Sequence, residues 1–107
     1  MKTNHSLQNL IYTQALKQNN LVYTNNRNEI SDVITIFNEK NANTAFIFLN
    51  EKDKETLCKA DVKKVKLQDM DIEEVNECDH LVFILPHPDI VKSLKNRFRN
   101  KNIYFIF

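Results

Sequence analysis

Leu81-Val82-Phe83-Ile84-Leu85, followed at once by Pro86-His87-Pro88-Asp89, decides the reading of this chain. Five apolar residues with no polar alternation form the kind of strand that is covered on both faces at the centre of a sheet. Pro88 sits well at the first position of a following helix. That helix would bury Ile90, Val91, Leu94 and Phe98 and show Lys92, Lys95 and Arg99 to solvent. A strand buried on both faces and then an amphipathic helix is the repeating unit of an α/β fold.

Working outward, residues 103–107 end the chain as a strand. On the other side, Asp69 or Asp71 caps a helix carrying Ile72, Val75 and Cys78, with acids in the first turn where the helix dipole favours them. Val62, Val65 and Leu67 mark a strand over about 63–67, and Asp53 caps a short helix running to Lys59. Ala45-Phe46-Ile47-Phe48-Leu49 is a buried strand. Residues 30–37 support two readings. Ile30, Val33, Ile34 and Phe37 share a helix face, while Val33-Ile34-Thr35-Ile36 is a β-branched run that lowers helix propensity. The turn-rich 38–44 stretch favours a strand, paired as a hairpin with residues 45–49. Leu21-Val22-Tyr23 is a short extended piece, and Ser6 caps a first helix over about 6–17 with Leu7, Leu10, Ile11 and Ala15 at helical spacing. The expected fold is an α/β three-layer sandwich around a small, mainly parallel or mixed sheet of about four to five strands. All 107 residues form one α/β domain, and residues 1–27 are available as a partner-binding N-terminal segment.

No glycine occurs in the chain, where average usage predicts roughly seven. That removes the Walker loop, the dinucleotide-binding turn and the nucleophile elbow, all of which need a backbone without Cβ. Asn is the next-best residue for left-handed turns, so Asn19-Asn20, Asn25-Asn26 and Asn41-Ala42-Asn43 are expected to replace glycine at chain reversals. Abundant Asn, Lys and Ile without glycine is the coding signature of an AT-rich genome.

The formal net charge is +1, so no global field steers the protein to nucleic acid or membrane. The distribution is uneven. Residues 69–79 hold Asp69, Asp71, Glu73, Glu74, Glu77 and Asp79 without a base, and Lys92, Lys95, Arg97, Arg99 and Lys101 follow against Asp89 alone. These are read as solvated helix faces, with polar docking as the functional alternative. The N-terminus lacks the apolar core of a signal peptide and no run reaches the ~18 apolar residues of a membrane span. Cys58 and Cys78 are expected to stay reduced, and the chain to be cytoplasmic.

Candidate chemistry is sparse. Ligands of open α/β sheets bind at the carboxyl ends of strands, which places His87, oriented by Asp89, as a general base if there is one. The plainer reading is a rigid strand-to-helix turn. Cys78, His80 and His87 with Cys58 would make an unconventional zinc set, and Cys78 reads more simply as a small core residue, so no metal and no cofactor are expected. Lys92, Lys95 and Arg99 are candidate phosphate or partner contacts, with Phe98 or Tyr104 available to stack on bases.

Tyr12-Thr13-Gln14-Ala15-Leu16, with Tyr23 and Arg27 after it, resembles the opening of the psi accessory subunit family of bacterial DNA polymerase III. Residues 30–37 and 45–50 resemble that family's first two strands, 62–75 its strand and following helix, and 88–98 its terminal helix. The family's Gly-Ile step is Lys17-Gln18 here, and its usual Trp is Tyr23. The resemblance implies a non-catalytic protein–protein adaptor in replication. Its N-terminal segment would grip the clamp loader and its folded body a chi-like subunit. Leu10, Tyr12, Leu16, Tyr23 and Arg27 would be the partner-binding residues. Two alternatives from other classes stand beside it: a small ligand-binding domain or enzyme built on the Pro86-to-Asp89 turn, and a regulator that binds nucleic acid or a host protein through the basic 92–101 face.

Overall fold

The computed structural model describes residues 20–107 apart from residues 25, 42 and 59. Within them the chain runs β1 (Leu21–Val22), α1 (Asn28–Lys40), β2 (Thr44–Phe48), α2 (Glu51–Thr56), β3 (Lys63–Lys66), α3 (Glu73–Asn76), β4 (His80–Ile84), α4 (Val91–Arg97) and β5 (Asn102–Ile106). Single 3-10 turns at Leu67–Asp69 and Pro88–Ile90 lead towards α3 and into α4. The expected first helix over residues 6–17 lies outside the described residues.

All five strands are parallel, in the order β1-β5-β4-β2-β3. The apolar run at residue 81 therefore occupies the middle of the sheet, with Val82 opposite Phe46 on one side and Tyr104 on the other. Alternate side chains go to opposite faces. Phe46, Phe48, Val82, Ile84, Tyr104 and Ile106 pack under α1 and the Leu57–Cys58 corner that follows α2. Ala45, Ile47, Leu81, Phe83, Ile103 and Phe105 pack under α3 and α4. The result is the expected three-layer α/β sandwich, with every strand parallel. No helix among the described residues is long and apolar enough to cross a membrane.

The hairpin expected for residues 30–37 and 45–49 does not form, because residues 30–37 lie inside α1. The reason is topological. β1 and β2 run parallel and are separated by β5 and β4, and parallel strands require a crossover, usually a helix. In α1, Ile30, Val33, Ile34 and Phe37 face the sheet and are buried. The five β-branched residues of α1 cost about 2 kcal/mol of helix propensity, whereas burying Ile30, Val33, Ile34 and Phe37 returns about 6 kcal/mol or more.

Several boundaries also shift. Asn50, not Asp53, caps α2: its side chain accepts a 2.9 Å bond from the Asp53 N–H. Neither Asp69 nor Asp71 caps α3, which begins after Ile72 with no side-chain cap and spans only four residues. Asn20 (φ 64°) and Asn43 (φ 56°) do take the left-handed conformation, but Leu85 (φ 49°) takes it as well. Leu85 leaves β4 with its N–H bonded to the Ile106 carbonyl at 2.7 Å. A residue before proline is normally confined to extended backbone, so two local preferences are overridden at this one position.

At the outer edge, β3 reads Lys63-Lys64-Val65-Lys66, a strand whose lysines discourage further pairing. Their ammonium groups fold back onto the body: Lys63 to the Glu74 carbonyl, Lys64 to the Cys58 carbonyl, and Lys66 to Glu51 and Asp69.

Candidate functional site

The loops after the strands gather at one end of the sheet. α2 follows β2 onto one face, whereas α3 and α4 lie on the other. The chain thus leaves the adjacent strands β2 and β4 in opposite directions, which opens the crevice where doubly wound sheets bind ligands. Leu49 and Asn50 follow β2, and Leu85 and His87 follow β4, at this switch point. His87 Nδ1 lies 3.8 Å from Asp89 Oδ2, and their side chains are 70% and 91% exposed. Neither has the burial that tunes a general base, and Asn50 is committed to its helix cap. The geometry is that of a solvated strand-to-helix turn pinned by the buried Pro86.

The zinc set considered from the sequence is scattered. Cys58 belongs to the cluster under α1 and Cys78 to the cluster under α3 and α4, on opposite faces of the sheet. His80 begins β4 and His87 lies beyond its other end. Among the described residues no group of three or more His, Cys, Asp and Glu is placed to hold a metal ion. His80 instead stacks on Tyr104 at 6.4 Å between centroids, with a buried Nδ1 that has no hydrogen-bond partner.

The five residues singled out for partner binding divide. Leu10, Tyr12 and Leu16 lie outside the described residues. Tyr23 and Arg27 both lie at the carboxyl end of the sheet, one just after β1 and the other just before α1. Tyr23 is 69% exposed, the most exposed large hydrophobic residue described. Its ring stacks on Phe107 at 5.6 Å, and the adjacent Thr24 binds the Phe107 carbonyl through both its N–H and its hydroxyl. The aromatic is thus held by the edge of the sheet while its outer face is left to solvent. Arg27 pairs with Asp53 at 3.0 Å, tying the start of α1 to the first turn of α2. Leu49, 42% exposed, lies at the same end.

The basic residues divide: Lys92 is in the first turn of α4, near the carboxyl end of β4, whereas Lys95, Arg99 and Lys101 border a depression at the opposite end of the sheet. Lys92 and Arg99 are exposed, Lys95 is half-buried, and the Lys95 ammonium lies 6.0 Å from the centroid of Phe105. Between the end of α4 and the start of β5 is an open depression of about 280 Å³, lined by Lys95, Arg99, Lys101, Asn20 and Asn102. Lys101 belongs to the basic 92–101 stretch visible in the sequence, but Asn20 was not legible as a member of a site, because β1 and β5 meet only through sheet pairing. The expected base-stacking residues do not serve: Phe98 is 7% and Tyr104 4% exposed, each packed against core rings. The acidic and basic stretches are not independent docking faces either, since Arg97 pairs with Asp71 and Lys101 caps the Asn76 and Cys78 carbonyls.

No family model, no curated protein and no solved structure matches the chain.

Proposed function

We propose that the chain is a non-catalytic protein–protein adaptor whose contact surface is the rim at the carboxyl end of the sheet, centred on Tyr23. The observation that carries this reading is the exposed Tyr23 ring, held in place by Phe107 and backed by the Thr24 hydrogen bonds. A rigid aromatic costs little entropy to immobilise and is enriched among residues that dominate binding energy. Leu49 adds a second exposed apolar side chain at the same end of the sheet, after β2, and Arg27 supplies a cation whose side chain is 60% exposed even while paired.

The psi-like resemblance supplies the partner to test first, a clamp loader, with a chi-like subunit as the second. That resemblance names Tyr23 and Arg27 as partner contacts, and the exposure of both is compatible with such a role. The test is binding of the full chain to reconstituted clamp-loader and chi subunits by calorimetry, alongside mass-spectrometric identification of proteins that co-purify from the native host. Tyr23→Ala is expected to weaken the bound complex by about 30-fold, the equivalent of about 2 kcal/mol, with the melting transition retained. Failure of both subunits to bind removes the replication assignment. Undiminished binding of a recovered partner to Tyr23→Ala removes the rim.

A further inference from the structure

We infer that the depression at the amino-terminal ends of the strands is a binding site for a phosphate ester. The inference does not rest on the adaptor reading, whose rim lies at the other end of the sheet. The depression, about 280 Å³, is lined by Lys95, Arg99, Lys101, Asn20 and Asn102 over Phe98 and Ile103, and among the described residues no carboxylate lines it. Arg27, Lys54, Lys66 and Arg97 each have an acidic partner, but Lys95 and Arg99 have none among the described residues. Cations left unneutralised and gathered into one concavity are what a compact anion requires.

The site is partly built in advance. The Lys101 ammonium is anchored by bonds to the Asn76 and Cys78 carbonyls at 2.7 and 2.6 Å, which fixes a positive charge at the border of the depression that Lys101 helps to line. Asn20 is fixed by its left-handed backbone and by the bond from its Nδ2 to the Ile103 carbonyl at 2.9 Å. The C-terminus of α4 opposes an anion with roughly half a unit of negative charge, and three full cations exceed it. Phosphate fits better than carboxylate, because a guanidinium fork and two ammonium groups match an oxyanion with three oxygens and up to two charges. Phe98 is too buried to stack on a base, so recognition stops at the phosphate. The phosphate could belong to a small molecule or to a nucleic-acid backbone.

The test is titration of the full ¹⁵N-labelled chain with inorganic phosphate at constant ionic strength, followed by amide shifts. Saturable shifts confined to Asn20 and residues 95–103 are expected. The double variant Lys95→Gln/Arg99→Gln should bind about tenfold or more weakly with an unchanged circular dichroism spectrum. A nucleoside monophosphate and a short oligothymidylate then separate the sources. Tighter binding of the oligonucleotide with steep salt dependence identifies a nucleic-acid backbone, and equal or weaker binding identifies a single small-molecule phosphate. Shifts that do not saturate, that chloride reproduces, or that survive in the double variant overturn the site.

Discussion

Replacing Leu85 tests whether the backbone at the end of the central strand is held against its own preference. Leu85 has φ 49°, where a Cβ costs about 1–2 kcal/mol. Leu85→Gly and Leu85→Ala both lose the leucine's contacts with the cluster under α1, so that loss cancels when the two variants are compared. Glycine loses about 0.5–1 kcal/mol relative to alanine because its unfolded chain is freer. Subtracting this from the relief at positive φ, taken at the midpoints of the two ranges, leaves Leu85→Gly more stable than Leu85→Ala by about 0.75 kcal/mol. At an exposed position of ordinary helical backbone the order should reverse: Glu39→Gly, in α1, should be about 1 kcal/mol less stable than Glu39→Ala. Urea unfolding followed by circular dichroism measures all four variants. A Leu85→Ala variant as stable as Leu85→Gly, or more so, would refute the left-handed backbone.

Three further outcomes follow from the packing. Asn50→Ala removes the cap that holds the Asp53 N–H and should cost about 1 kcal/mol in urea unfolding; an unchanged midpoint would mean that α2 starts elsewhere. Phe83 is buried between Phe98 and Phe105 at 6.2 and 5.3 Å, so Phe83→Ala should cost about 3–5 kcal/mol and shift or abolish the calorimetric transition. A loss below about 1 kcal/mol would place that ring outside the core. Cys58 and Cys78 are free and buried, so a thiol reagent should react slowly with the native protein and with both thiols in urea. Rapid native reaction of either would contradict its burial.

What could be read from the chain alone depended on how local each cause was. The 81–85 run declares itself because a strand buried on both faces admits no polar residue, and it is the middle strand. Residues 30–37 carry both periodicities, and only the parallel, separated placement of β1 and β2 decides between them. Asn20 and Asn43 were legible as left-handed turns from residue type. Leu85 was not, because tertiary bonding to β5 overrides what a leucine prefers. The same division applies to function. The basic spacing of Lys92, Lys95 and Arg99 was visible, but the depression needs Asn20, which reaches it through a strand pairing more than eighty residues away along the chain. The exposure of Tyr23 likewise depends on its position beside Phe107.

Because β5 lies between β1 and β4, the first strand to be made is the last to be paired. β1 leaves the ribosome early and must wait for residues 102–106 before it has a neighbour. Until then the most apolar strand of the molecule keeps one hydrogen-bonding edge uncovered, the condition under which nascent chains recruit holdases or pair with the wrong strand.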